Sequence, residues 1–345
     1  MATQSLAIKY RPTTFDDVVE QSTIKTILQY QLDNNLTKNA YLFCGGAGTG
    51  KTTCARIFAN AINHYQGNAI EIDAASNSGV DDVREIIKQA KTKSLDSEYK
   101  IFIIDECHSL SNTAWQALLK LIEEPPVKSI FIFCTTDPQK IPKTILSRVQ
   151  RFDFQRISTG SIVKRLVYIL NKEQNEQNEF TTIEDDAVEY IAKIADGGMR
   201  DAITLLDKCL AYNKEITLYN VVNALGVLDF GELFTLLESI IEKDKNGIIE
   251  FIEGVHYSGR DLKMFIKQFK IFVLDVAKYQ ISNSPDKDVS FQFIQIPQIY
   301  KPQLDKFSKI NFMHLLQVLI KLSADAKWEE NPKALIEATL LLECV

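Results

Sequence analysis

Between Tyr41 and Ala55 the chain reads YLFCGGAGTGKTTCA. An apolar run, Tyr41 to Cys44, leads to Gly45, then four residues, then Gly50, Lys51 and Thr52. This is the G-x-x-x-x-G-K-[ST] pattern, with the strand before it and the helix after it that the pattern requires. Glycines let backbone N–H groups curl round an anionic oxygen with no Cβ in the way. The helix that follows aims its positive end at the same point. The stretch Gly45, Gly46, Ala47, Gly48, Thr49, Gly50, Lys51, Thr52 and Thr53 is therefore predicted to cradle the phosphates of a nucleotide. Lys51 would reach the β- and γ-phosphates, and the Thr52 hydroxyl would ligate Mg²⁺.

A chain of 345 residues is long enough for two or three domains with cores of their own. No apolar run approaches the ~18 residues of a spanning helix, and the N-terminus lacks the apolar stretch of a signal peptide. The expectation is a cytoplasmic protein with no membrane role. Net charge is −6, unevenly placed: residues 1–157 hold 18 Lys+Arg against 17 Asp+Glu, and the remainder 21 against 28. That excludes a broadly basic nucleic-acid binder, so any DNA contact must come from local groups in the first half. The six cysteines, at 44, 54, 107, 134, 209 and 344, form no C-x-x-C pair. Free thiols buried as small apolar residues are expected, not disulfides or a zinc site.

Ahead of the Gly-rich loop, Tyr10, Arg11 and Val19 lie in a segment placed to cross the adenine, followed by a helix over about Ser22–Asn34. After the loop a helix runs Thr52–Asn63. Residues 71–86 read as a strand, a turn at Ser76 to Gly79, and a helix to about Thr92 capped by Ser78, Asp81 or Asp82. Tyr99 to Glu106, YKIFIIDE, is apolar on both faces and so a buried parallel strand. Its tip is where such sheets bind ligands. There Asp105 would bind Mg²⁺ and Glu106 would polarise an attacking water. A helix over Trp115–Glu124 stops at Pro125-Pro126. The next strand, Ile130–Cys134, ends in Thr135 and Thr136, polar groups within reach of a γ-phosphate, and a short strand spans Arg151–Phe154. Alternating strands and helices predict a doubly wound parallel α/β sheet. Residues beyond 157 read as helices, with a loop over Asn171–Glu179, further loops at Asn283 to Pro285 and at Ile296-Pro297, and no catalytic constellation.

Asp105-Glu106-Cys107-His108 spells DECH, and Cys134-Thr135-Thr136 follows it, like the motif pair of DExH helicases. Those carry a second α/β motor, whereas the remainder here is helical. KYRPTTFDDVVEQ, CGGAGTGKTT, EIDAASNSGVDDVREI, IIDECHSLS, WQALLKLIEEPP, TTDPQKIPKTILSR and GGMRDAITLLDK together resemble, in order over residues 9–208, the gamma/tau subunit family of the bacterial DNA polymerase III clamp loader.

The resemblance implies an AAA+ P-loop ATPase domain (1–157), a helical lid (158–226) and a helical collar for oligomerisation (227–345). It implies ATP hydrolysis that opens the sliding beta clamp and loads it on primer–template DNA. The partners it implies are further gamma/tau copies, delta and delta-prime in a pentamer. It makes Lys51 and Thr52 the Walker A pair, Asp105 and Glu106 Walker B, Thr136 sensor 1, Arg148 an arginine finger acting on a neighbour's ATP, and Arg200 sensor 2. A small subunit of replication factor C is the alternative in the same fold, and a non-hydrolysing scaffold the alternative in another class. The EIDAASN, DECHSLS and GGMRDA wording disfavours the first. Intact Lys51, Asp105 and Glu106 disfavour the second.

The chain departs from the family pattern in four places. The family's four-cysteine zinc module is replaced by Ile62–Ala69, INHYQGNA, so no zinc is expected. Val149 follows the finger where the family has Cys, and Glu20 stands where it usually has Gly. The sequence stops at Val345 without the tau tail, as expected of a short form, a phage-type version or a truncated piece.

Overall fold

In the computed structural model, residues 4–92, 96–177, 182–282, 304, 306–307, 310–326 and 328–343 are described. The chain divides into two units, Met1–Glu173 with Ala195–Thr204, and Gln174–Ile194 with Leu205–Val345.

The first unit is built on five parallel strands, β1 (Ala40–Cys44), β2 (Ile70–Asp73), β3 (Lys100–Asp105), β4 (Ser129–Thr135) and β5 (Gln150–Asp153), in the order β2-β3-β4-β1-β5. The continuous apolar runs of β1, β3 and β4 follow from burial on both faces, and successive side chains go to opposite sides. Leu42, Phe102, Ile104, Phe131 and Phe133 pack with Val83 and Ile86 of α4 (Val80–Ala90) and with Trp115 and Leu118 of α5 (Asn112–Glu123). Tyr41, Phe43, Ile101, Ile103 and Ile132 pack with Ile24 and Leu28 of α2 (Ser22–Asp33) and with Cys54 and Phe58 of α3 (Lys51–Ile62). Truncating a fully buried ring such as Phe58 would cost about 3–5 kcal/mol. Register pairs Cys44 with Thr135 and Asp73 with Asp105, so the strands end at one edge.

Helix ends follow local chemistry. Ser111 Oγ accepts from the Ala114 N–H, which starts α5 at Asn112, one turn before the expected Trp115. The cap of α4 is Gly79, not Ser78, Asp81 or Asp82, though the Asp82 carboxylate accepts the Gly79 N–H at 3.1 Å. The short helices α1 (Leu6–Lys9) and α6 (Lys143–Leu146) were not anticipated. Glu20 and Gln21 adopt φ of 56° and 50°, the left-handed region, which accounts for glycine being usual at position 20. Here the Glu20 carboxylate accepts from the Ser158 hydroxyl and N–H.

A further expectation is overturned. The polar stretch from Asn171 is not a loop: α7 (Thr159–Gln177) runs through it. Lys, Glu and Gln are good helix formers even without an apolar stripe. Glu173 also accepts from Tyr10 Oη at 2.7 Å and Lys9 Nζ at 2.6 Å, which fixes this turn. The remainder of that stretch, and the loops proposed at 283–285 and 296–297, lie outside the described residues.

The second unit is helical. It contains α8 (Asp185–Ile194), most of α9 (Met199–Tyr212), α10 (Leu218–Leu225), α11 (Phe230–Ile241), α12 (Lys245–Tyr257), α13 (Leu262–Ser282) and the helices Met313–Asp325 and Pro332–Glu343. Leu237, Ile252, Phe269, Phe272, Leu319 and Ile336 sit in its largest apolar cluster. Asp229 and Glu232 form a reciprocal capping box at α11. Gln268 takes both the Leu228 N–H (2.9 Å) and its C=O (2.6 Å), pairing backbone groups that burial would otherwise orphan.

Candidate functional site

A cavity of about 260 Å³ opens in the first unit at the carboxyl edge of the sheet. The loop after β1 forms one wall. Gly45 has φ +154°, and a Cβ there would lie 2.6 Å from the Phe154 carbonyl oxygen. Gly48 has φ +69°, and its Cβ would press on Gly198 at 3.0 Å. Only glycine lets the loop close this tightly at both points. The Met199 N–H donates to the Gly48 carbonyl at 3.0 Å, tying the loop to the start of α9.

Most of the predicted residues meet in this cavity. Ala47, Gly48, Thr49, Gly50, Lys51, Thr52 and Thr53 line it, with Asp105 and Glu106 from the tip of β3, Tyr10, Arg11 and Val19 from the N-terminal segment, and Arg200 from the first turn of α9. Gly45 and Gly46 do not line it; their carbonyl oxygens accept from Lys51 Nζ at 2.9 and 2.8 Å. Burial lowers the Lys51 ammonium's pKa, while the charges of Glu106 and Asp105 pull the other way. An anion beside Lys51 would relieve that burial cost.

Thr52 Oγ1 donates to Asp105 Oδ2 at 2.7 Å, and Asp105 Oδ1 accepts the Glu106 N–H at 3.0 Å. One hydroxyl and one carboxylate beside a phosphate cradle suit Mg²⁺, which takes few protein ligands and completes its shell with phosphate and water oxygens. Among the described residues no group of three or more His, Cys, Asp or Glu is arranged to hold a metal on protein ligands alone.

Glu106 is held in the left-handed region, φ 46°. Its Oε2 accepts from Thr136 Oγ1 at 3.1 Å, so Thr136 joins the site through Glu106 and not through the cavity wall. Arg148 stands apart from the cavity. Its guanidinium pairs with Glu123 at 2.7 Å and donates to the Thr144 carbonyl (2.8 Å) and Ser147 Oγ (3.0 Å). It faces a separate surface depression with Lys38, Asn39 and Gln150.

Other groups shape the site that were given no role in advance. Ala7, Pro12, Val18, Ile157 and Ile203 give it an apolar side suited to a base. Arg165 of α7 donates to the Tyr10 carbonyl at 3.0 Å and fixes the N-terminal segment. Burial, then the charges of Arg56 and Arg200, lowers the Arg11 guanidinium's pKa. His108 lies 3.3 Å from Glu106 Oε2. Ala7, Ile157 and Arg165 come from segments far apart in sequence and carry no local signature, while Pro12, Val18, Ile203 and His108 lie inside quoted motifs that gave them no role.

The five described cysteines are free and buried. Burial pushes the thiols of Cys44 and Cys209 up to about 11 and that of Cys54 to about 12, and holds those of Cys107 and Cys134 well above the ordinary value, so all stay protonated at neutral pH. No helix among the described residues is long and apolar enough to cross a membrane.

Comparison with known proteins adds to this geometry. A family described as DNA polymerase III, delta subunit, matches residues 63–158, and one described as DNA polymerase III clamp loader subunit, ATPase lid domain, matches residues 161–215. The chain is 34% identical to DNA polymerase III subunit tau of Bacillus subtilis over its whole length, spanning 64% of that protein. It is 32% identical to subunit tau/gamma of Haemophilus influenzae, over 99% of this chain and 51% of that one. Among solved structures, the RuvB motor of Thermotoga maritima superposes with a TM-score of 0.52 at 22% identity, over 68% of this chain and 80% of that one, which shows a shared α/β P-loop ATPase fold. The DNA polymerase III subunit gamma of Buchnera aphidicola aligns at 31% identity over 98% of both chains. With that end-to-end match and the clamp-loader lid sequence behind the phosphate loop, the chain belongs to the gamma/tau subunit family of DNA polymerase III.

Proposed function

We propose that this chain is the ATP-hydrolysing motor subunit of a clamp loader, acting in the cytoplasm. The observation that carries the reading is the meeting of Lys51, Thr52, Asp105 and Glu106 at one edge of the sheet. Four residues from two segments converge as ATP hydrolysis requires. Lys51 holds the β- and γ-phosphates with the loop N–H groups, and Arg200 holds the γ-phosphate from the start of α9. Thr52 and Asp105 hold Mg²⁺, which when bound neutralises charge on the phosphates. Glu106 orients the attacking water and takes up its proton, with Thr136 fixing the carboxylate. Tyr10, Arg11 and Val19 flank the base. Zinc has no part in this reading.

Arg148, exposed and outside the cavity, fits a group used in trans. In a pentamer with further gamma/tau copies, delta and delta-prime it would reach a neighbour's γ-phosphate, so that turnover depends on assembly. Residues 1–157 then serve as the motor, 158–226 as the lid and 227–345 as the collar. The lid match over residues 161–215 supports this division. The product is an opened sliding clamp closed on primer–template DNA. No polymerase site is part of this reading.

The test is ATP turnover with delta, delta-prime, sliding clamp and primed DNA, comparing wild type with Arg148→Ala. Strong stimulation of the wild type, lost in the variant while ATP binding persists, is expected. Turnover indifferent to clamp, DNA and Arg148 alike would overturn the motor reading and favour a scaffold.

A further inference from the structure

Of the four residues spelling DECH, the first two have places in the nucleotide site and Cys107 is fully buried. His108 has no part in the reading above, yet the fold brings its ring to the carboxylate at the centre of that reading. β3 ends at Asp105, Glu106 turns through a positive φ, and Cys107–Ser109 make one tight helical turn. Backbone bonds from Ser109 to Glu106 and from Leu110 to Cys107 close the turn, and buried Cys107 pins it. His108 is thereby swung back so that Nδ1 stands between two oxygens. Glu106 Oε2 is at 3.3 Å and Thr135 Oγ1 at 3.2 Å.

The carboxylate favours one tautomer. A bare Nδ1 lone pair would face the carboxylate lone pairs, so the proton belongs on Nδ1. Thr135 Oγ1 already accepts the Asp137 N–H at 3.0 Å, which fixes that hydroxyl at the tip of β4. In that tautomer Nδ1–H lies within reach of Glu106 Oε2 and of an oxygen anchored on a fully buried residue. Two groups from different elements reach Glu106 Oε2: Thr136 Oγ1 donates to it at 3.1 Å, and His108 Nδ1 stands 3.3 Å away. Oε1 takes no hydrogen bond among the described residues, and Glu106 lines the cavity. One oxygen is tethered and the other is left to work.

We propose that His108 is a positioning residue for Glu106: its Nδ1–H, with the Thr136 hydroxyl, fixes one carboxylate oxygen so that the other is aimed at the attacking water. The inference rests on the hydrolytic reading of the cavity and deepens it. Hydrogen bonds to a charged group are strong enough to set orientation, and a base displaced by an ångström loses much of its effect. The role acts on turnover and not on nucleotide binding, because His108 does not line the cavity.

The test compares wild type, His108→Ala, His108→Asn and Glu106→Gln in the full chain assembled with its loader subunits, clamp and primed DNA. Binding of a fluorescent ATP analogue is measured alongside. His108→Ala should lower kcat about tenfold with KM for ATP unchanged within about twofold, the size expected for losing one bond to a carboxylate. His108→Asn, whose amide N–H can replace Nδ1–H, should restore most of it. In the Glu106→Gln background, His108→Ala should cost nothing further, since both act on one group. Wild-type kcat in His108→Ala overturns the proposal. So does equal loss in Ala and Asn variants that melt like wild type, or a loss that multiplies with Glu106→Gln. If Glu106→Gln alone leaves turnover intact, the hydrolytic reading itself has failed, and the proposal with it.

Discussion

The nucleotide cavity and the surface around Arg148 hold their charges in opposite ways. In the cavity the central side chains bond to other parts of the same machinery, Lys51 to the loop carbonyls, Thr52 to Asp105 and Thr136 to Glu106, with His108 3.3 Å from that carboxylate. Arg148 is held only by residues of its own surface, Glu123, Thr144 and Ser147, and lies outside the cavity. The difference teaches which groups can be understood from one chain. The cavity's bonded side chains are a preorganised set drawn from one chain. Arg148 is a poised cation whose reaction partner, in the proposed assembly, belongs to another subunit.

Three substitutions press on that contrast. Lys51→Ala should have the largest effect, weakening ATP binding to the isolated chain on the order of a hundredfold through loss of charge-assisted bonds to phosphate. Calorimetric titration checks it; near-normal affinity would break the picture of a cavity complete in itself. Glu123→Ala should leave that binding unchanged. An exposed ion pair is worth about 1 kcal/mol or less, so freeing Arg148 should lower the subunit concentration needed for half-maximal turnover by no more than about fivefold. A large change in ATP affinity would place Arg148 with the cavity after all. Glu20→Gln should have the smallest effect. Burial raises the Glu20 pKa, but the Ser158 and Ser161 hydrogen bonds outweigh it and hold the carboxyl below its ordinary value. Its contribution to stability is thus present above the unfolded-state pKa and fades as pH falls through the folded one. Melting curves across the acid range should be slightly flatter for the variant and should coincide with a Gln substitution of any unpaired exposed glutamate if Glu20 does nothing.

The same contrast decides what could be read in advance. Cavity residues sit in short motifs whose spacing is the chemistry, so Lys51, Thr52, Asp105 and Glu106 were legible, and the unbroken apolar runs of β3 and β4 marked a parallel sheet. The strand order was not legible, because apolar runs do not say which neighbour they pair with. Nor was the bond from Met199 to Gly48, or that from Arg165 to Tyr10, each joining segments some 150 residues apart. Asn171 to Gln177 misled because it lacks an apolar stripe; what orders it is Glu173 meeting Tyr10 and Lys9, a tertiary fact. His108 was in view all along as a letter in DECH, but only the tip of β4 gives it an address beside Glu106. Arg148 and Arg200 read locally as surface cations, and their motif settings alone marked them out.

The silent thiols have a practical side. Five cysteines that stay protonated in the interior will not compete for a maleimide at neutral pH. With Cys344 replaced, a single cysteine installed at an exposed position such as Lys140 would carry a fluorophore at one known place. The native chain is thus already close to a cysteine-light background for following, one dye at a time, how the subunit moves as it works.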